Sequence, residues 1–198
     1  MTKIIAFSGR KQSGKSTSAE YIQSIISCGS YPSITCKIYN FADALKQDIC
    51  MNILGLTYDQ CYGTDDDKNT LTNLTWDNKL LTAREAMEII GTSIFRKLKD
   101  NVWVDAALNK IKRDNIDLAI IPDCRFPNEV EFIKQCGGYV IRLDLDPFHS
   151  NAHAETALDR ETYDWRKFDF LIMNSSMSIE EKNKEILRFL SNKGILQL

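Results

Sequence analysis

The stretch "SGRKQSGKST", residues 8–17, follows the apolar run Ile4-Ile5-Ala6-Phe7 and sets the reading of the whole chain. Its spacing, Gly9-x-x-x-x-Gly14-Lys15-Ser16, fits a phosphate-binding loop. The glycines let the backbone curl until several N–H groups face one anion, and the next helix opens there with its positive dipole end. Lys15 is placed to reach the β- and γ-phosphates of a nucleoside triphosphate, and Ser16 to ligate Mg²⁺. Gly9, Lys11, Ser13, Gly14, Lys15, Ser16 and Thr17 are therefore the candidate cofactor-binding residues of the loop. The bland alternative is a polar turn with Lys15 merely solvated. The flanking pattern favours the loop: a strand-like run precedes it, and Ser18–Ile26 reads as a helix with Ile22, Ile25 and Ile26 on one face.

Working outward, 198 residues suffice for one domain with a substantial core, and the chain reads as a single domain over 1–198. A composition of 43% hydrophobic and 26% charged residues is that of an ordinary globular protein. A net charge of −2 gives no basic footprint for wrapping nucleic acid. The six cysteines form no C-x-x-C pair and read as reduced thiols. The loop interrupts the first apolar run too early for a signal peptide, and no run reaches membrane-spanning length, so a cytoplasmic protein without a membrane partner is expected.

Five strand-like runs alternate with helical stretches: Lys3–Ser8, Cys36–Phe41, Leu118–Pro122, Tyr139–Leu143 and Phe168–Met173. That alternation predicts a three-layer α/β/α fold with a parallel five-stranded sheet. Ala44–Leu54 carries Leu45, Ile49 and Ile53 at helical spacing. Thr82-x-x-Glu85 is a capping box that opens a helix with the stripe Met87, Ile90, Ile94 and Leu98. A helix is expected over Val102–Arg113, another from Pro127 to Gly137-Gly138, and a last one over Ile179–Ser191. Residues 55–81 turn polar and aspartate-rich, which suggests a loop or a mobile insert on the substrate side. A second loop-like, lid-like stretch covers about 146–167 and holds both histidines.

Asp123 ends an apolar run, where such a fold keeps its second acidic group for Mg²⁺; a plain turn residue is the alternative. Arg84 lies in the first turn of the Thr82-capped helix, where the dipole disfavours a cation unless an anion is bound beside it. Lys68 is a surface charge or a phosphate ligand. Asp43 is a substrate contact or the N-cap of the Ala44–Leu54 helix, and Lys46 one turn on is equally ambiguous. Trp103 is a core residue or a base-stacking platform. His149 and His153 have no partners that would make a metal site or a nucleophilic triad.

Taken in order, "FSGRKQSGKST", "YGTDDDKNTLTNLTW", "TAREAMEIIGTSIFR", "NVWVDAAL", "IIPDCRFPNEVEFIKQCGGYVIRL", "HAETALD" and "FDFLIMNSSMSIEE" resemble the deoxynucleoside monophosphate kinases of tailed bacteriophages. The resemblance implies a phosphate-loop kinase that uses ATP and Mg²⁺, with Lys15 and Ser16 on the nucleotide and metal. It implies Arg84, with Lys68 where an arginine is common, on the acceptor's phosphate, and Arg125 near the transferring phosphoryl group. It implies Asn174 closing over adenine. Asp43, Lys46 and Trp103 complete the candidate acceptor side, small nucleotides are the implied partners, and a second copy of the chain is a candidate partner. Host cytoplasm is the implied location for a viral protein.

Related layouts leave alternatives in view. Dephospho-CoA kinase is one, and phage kinases acting on hydroxymethylated bases in DNA are another. A GTP switch would carry N-K-x-D, yet none of the Asn-Lys steps at 78, 109, 183 and 192 ends in Asp. A structural module with a vestigial loop is disfavoured by the retained lysine, hydroxyl and acidic partner.

Overall fold

A computed structural model of the chain describes residues 2–148 and 153–196. In chain order it runs β1 (Lys3–Ser8), α1 (Lys15–Ile25), β2 (Cys36–Ile38), α2 (Tyr58–Tyr62), α3 (Asp65–Lys68), β3 (Leu71–Trp76) and β4 (Lys79–Thr82). It continues with α4 (Ala83–Glu88), α5 (Val102–Asp114), β5 (Leu118–Cys124), α6 (Pro127–Gln135), β6 (Tyr139–Leu143), α7 (His153–Thr156), β7 (Phe170–Ile172) and α8 (Ile179–Asn192). The chain falls into two compact units, Met1–Asn40 with Leu108–Leu198, and Phe41–Ala107.

The first unit is built on a five-stranded sheet in the order β2-β5-β1-β6-β7, every pairing parallel. Alternation along the strands sends Ile5, Phe7, Leu118, Ile120, Ile141, Leu143 and Ile172 into one core. Ala19, Ile22 and Ile26 from the first helix and Ile186, Phe189 and Leu190 from the last pack into the same core. On the other face α6 lies close, since a Cβ on Gly138 would meet both Ile133 and Ile4 at about 3 Å. Pro127 opens α6, and Gly137, at φ 73°, lets the chain turn back with Gly138 N–H donating to Ile133 O.

The edge strands are shorter than the apolar runs suggest, Cys36–Ile38 and Phe170–Ile172. The central strand β5 is longer and reaches Cys124, so Asp123 lies within it rather than beyond its end. Pro122 is tolerated because the ladder to β2 stops at Ile38–Ile120 and the register with β1 shifts between Ala6 and Ser8.

In the second unit, residues 55–81 carry elements of their own rather than a plain loop. Thr57/Gln60 and Thr64/Asp67 are capping boxes that start α2 and α3, and β3 and β4 form an antiparallel hairpin. Asp77 and Asn78 make its two-residue turn, both at positive φ (48° and 61°), as a type I′ turn requires. The Thr82 capping box forms as the spacing predicts, but the stripe behind it does not hold. Ala83, Ala86 and Gly91 are buried while Leu98 is 80% exposed. Ile89–Arg96 winds with i→i+5 bonding, which rotates the later face away from the 3.6-residue phase. Ala44–Met51 winds the same way and leaves Ile53 exposed.

The capping box carries a pH prediction. The Thr82 backbone N–H first, then Lys79 and the Thr82 hydroxyl, hold the Glu85 carboxyl down to about 2 from its usual 4.5. Its contribution is complete above pH 4.5 and fades as pH falls toward 2. Helicity followed through an acid titration should fall earlier in wild type than its neutral-pH stability suggests, and Glu85→Ala should flatten that limb. An unchanged acid limb would show that the box does not contribute.

Candidate active site

The loop between β1 and α1 is shaped by two glycines. A Cβ on Gly9 would lie 2.4 Å from Ser13 Oγ and 3.1 Å from Leu143 O. Gly14 sits at φ 95°, and a Cβ there would lie 2.8 Å from Lys182 Nζ. Gln12 also takes a positive φ, 58°, so the chain curls tightly from Arg10 to Lys15. Helix α1 starts at Lys15, three residues earlier than its apolar pattern shows, and no side chain caps it. Its first N–H groups are thus left for a ligand. Ser13 Oγ is buried with no hydrogen-bond partner among the described residues. An orphaned hydroxyl beside an uncapped helix start fits a bound phosphate.

Lys15 is only 8% exposed and donates from Nζ to Gly9 O (2.7 Å) and Arg10 O (2.6 Å). Burial pushes it down to about 8; Arg125 and Arg142 push the same way, while Glu155 and Asp123 oppose them. Asp123 and Arg125 from β5 and its end are therefore gathered electrostatically around the loop lysine. Ser16 and Thr17 are exposed on the first turn of α1. One hydroxyl and one carboxylate suit Mg²⁺, which keeps several waters and takes its other ligands from substrate phosphates.

Asn174 is buried, and its amide is engaged within the chain: Nδ2 donates to Ser13 O (3.0 Å) and Oδ1 accepts from Leu145 N–H (3.1 Å). Both ends of the amide thus brace the phosphate loop against the chain after β6.

Sequence reasoning missed several groups around the loop. Arg142, 3% exposed within β6, donates to Ser8 Oγ (3.0 Å) and lies 3.4 Å from Asp159. Asp159 also accepts from Arg10 Nε at 3.1 Å. Lys182 on α8 is 4% exposed and reaches Gly14 O at 3.4 Å; burial lowers its pKa. Glu155 accepts from Lys11 N–H at 2.6 Å and pairs with Arg125. A charged residue inside the apolar run "YVIRL" was the one available signal, for Arg142; the others depend on chain-distant packing. The described residues of 146–167 are thus partly helical and meet the loop through three carboxylates, Asp146, Glu155 and Asp159. His149 lies outside the described residues.

In the second unit, Arg84 donates from Nε to Asn69 Oδ1 (3.0 Å) and from Nη2 to Asp65 Oδ1 (2.8 Å). The compensation for a cation in a first helical turn is supplied by Asp65, so the dipole alone does not demand a bound phosphate. Lys68 donates to Gly63 O at 2.6 Å. Asp43 is no N-cap: its backbone is helical (φ −63°, ψ −42°), and its carboxylate accepts from Tyr62 at 3.0 Å. Lys46 lies 4.5 Å over the Tyr62 ring, which brings Asp43 and Lys46 together around one tyrosine. Trp103 is a core residue: it is 6% exposed, its ring lies 5.3 Å from Phe95, and its N–H donates to Gly91 O (3.0 Å). A platform for base stacking needs an open face, which this burial denies.

Among the described residues no group of three or more His, Cys, Asp or Glu forms a metal cage, all six cysteines are free, and no helix is long and apolar enough to cross a membrane. The parallel sheet, the helix after the loop and the buried loop lysine define a three-layer α/β/α phosphate-loop kinase fold. Shikimate kinase from Aquifex aeolicus shares it, with a TM-score of 0.52 over 97% of this chain and 98% of that one at 16% identity.

No family model matches the chain. The expected likeness is found among curated proteins. The chain is 27% identical over 201 residues to a putative deoxynucleotide monophosphate kinase of Acanthamoeba polyphaga mimivirus, covering 96% of both. It is 31% identical over 67 residues to deoxynucleoside-5'-monophosphate kinase of Escherichia phage T5, covering 33% of this chain and 25% of that protein.

Proposed function

We propose that the chain transfers the γ-phosphoryl group of ATP to a deoxynucleoside 5'-monophosphate, giving ADP and the diphosphate. The carrying observation is the loop itself, a buried lysine folded back onto the loop carbonyls at an uncapped helix start, in a chain similar over nearly its whole length to a putative deoxynucleotide monophosphate kinase.

The acceptor's phosphate oxygen is already nucleophilic near neutral pH, so positioning and charge neutralisation suffice without a general base. Loop N–H groups of 13–17 cradle the phosphates of ATP, and Lys15 swings from the Gly9 and Arg10 carbonyls to the β- and γ-phosphates. Ser16 and Asp123 would hold Mg²⁺, which would neutralise phosphate charge there. Arg125 takes the charge of the transferring group. We read 1–198 as one functional domain in which Phe41–Ala107 carries the acceptor residues: Arg84 and Lys68 for the phosphate, Asp43 and Lys46 beside them. Viral and phage relatives make host cytoplasm the proposed setting.

A panel of every dNMP and NMP, dephospho-CoA and hydroxymethylated DNA with ATP and Mg²⁺, scored by product identity, tests this reading. Transfer confined to dephospho-CoA or to DNA would overturn it.

Arg84 gives a sharper check. Arg84→Ala should raise KM for the monophosphate and lower turnover while ATP affinity holds. A lost charge-assisted phosphate contact costs about 1.5–3 kcal/mol, roughly ten- to a hundredfold. Because Asp65 occupies the same guanidinium, Asp65→Asn should lower the acceptor KM instead. Steady-state kinetics with each substrate varied in turn, beside a direct ATP titration, reads both. Weaker ATP binding with an unchanged acceptor KM would move Arg84 to the donor side.

A further inference from the structure

Arg125 is held at both ends. Its backbone N–H donates to Glu129 Oε2 at 2.7 Å, and Phe126 N–H donates to the same oxygen at 3.1 Å. Glu129 is 2% exposed, so the chain leaving β5 is pinned to the first turn of α6. The guanidinium is held by Glu155 on α7, whose side chain is 8% exposed. One oxygen of that carboxylate pairs with Arg125 Nη1 and the other accepts from Lys11 N–H at 2.6 Å. A single carboxylate thus ties the arginine to the backbone of the phosphate loop.

Two features distinguish this bridge from an incidental ion pair. With the Arg125 side chain 38% exposed, the ion pair as such contributes little, but the buried carboxylate matters through the geometry it imposes and the cost of leaving it unpaired. Only one nitrogen of the guanidinium is committed to Glu155, and a guanidinium has five N–H donors in a fixed fork, so a bound phosphate can share it. The carboxylate also sits on Lys11, short of the uncapped start of α1, and leaves that anion cradle to the nucleotide.

We infer that Glu155 is a positioning residue, which fixes the Arg125 guanidinium against the phosphate loop for phosphoryl transfer. The inference rests on the kinase reading for the role of Arg125. It does not touch substrate itself; it acts through Arg125.

The test is a double-mutant cycle with kinetics. Glu155→Gln keeps size and an acceptor for Lys11 N–H but removes the charge that orients the arginine. Its kcat should fall about ten- to a hundredfold, the scale of a misplaced catalytic group, with KM for ATP nearly unchanged. Adding Glu155→Gln to Arg125→Ala should cost nothing further, because the interaction is already gone. Glu155→Asp, with charge kept and reach shortened, should recover part of the loss. Unchanged kcat, fully additive losses, or tighter ATP binding at wild-type kcat would each overturn the assignment; the last would make the carboxylate a mere occupant of the phosphate site.

A nucleotide-free readout separates failure here from failure of the kinase reading. The guanidinium N–H signals of Arg125 should be discrete by NMR in wild type and averaged in Glu155→Gln, with faster exchange of the Lys11 amide. If those signals do not change, the bridge is refuted whatever the substrate. Should wild type transfer phosphate to no acceptor while the signals change, the bridge stands and the kinase reading falls.

Discussion

Lys15→Met is expected to leave the fold standing and to lower phosphoryl transfer by about a hundred- to a thousandfold or more, the scale of removing one preorganised donor to developing charge. Methionine fills much of the buried stem, so packing around α1 is largely kept. Two opposing changes set the stability. Gly9 O and Arg10 O lose their donor, worth about 1–3 kcal/mol where an acceptor is left unsatisfied. Against that, a desolvated ammonium beside Arg125 and Arg142 is removed. Thermal melting should therefore shift little while turnover collapses. Wild-type kcat at saturating ATP in a folded Lys15→Met protein would refute the phosphate-loop assignment.

Asp123→Asn should cut turnover steeply by a different route. Asp123 lies inside β5, and its charge is felt at Lys15 of the phosphate loop. The amide is nearly isosteric, and the strand should stay paired. What would be lost is the negative charge proposed to balance Mg²⁺, and metal neutralisation supplies several kcal/mol of transition-state stabilisation. At about 1.4 kcal/mol per tenfold, a loss on the order of a hundredfold or more follows. Turnover titrated against Mg²⁺ should saturate at a higher metal concentration. A wild-type Mg²⁺ curve would return Asp123 to the status of a strand residue near a lysine.

The parts of this protein that are local in cause were legible in its sequence. The loop at 9–16, the Thr82/Glu85 box, Pro127 and Gly137 each act within a few residues, and each appears where its spacing places it. The central strands were legible because both faces are buried and their runs are almost wholly apolar, Arg142 in β6 apart. The hairpin was missed although Asp77-Asn78 is a two-residue turn signal, because its strands are mostly exposed and mix Thr and Asn with Leu. The stripes ending at Ile53 and Leu98 failed for another local reason: wide helical turns change phase, and nothing in a 3.6-residue pattern announces them.

Side-chain roles were legible only where the chain decides them nearby. Lys15 meets the carbonyls of Gly9 and Arg10, six and five residues away. Asp43 met Tyr62 and Arg84 met Asp65, partners 19 residues away in each case, and Trp103 was drawn into the core by Gly91. Arg125 and Glu155 are 30 residues apart, Arg142 and Ser8 134, and only the parallel crossovers bring them together.

The arginine in β6 has an optical consequence. Trp165 has its ring 4.9 Å from the Arg142 guanidinium and 4.3 Å from that of Arg160, while its N–H donates to Leu158 O at 2.9 Å. Indole emission follows the local field and hydration, and two cations over one ring set both. The other two tryptophans lie in the second unit, Trp103 buried and Trp76 46% exposed on the hairpin. The segment whose Glu155 and Asp159 meet Lys11 and Arg10 of the phosphate loop therefore also carries an indole ring set against two guanidinium groups.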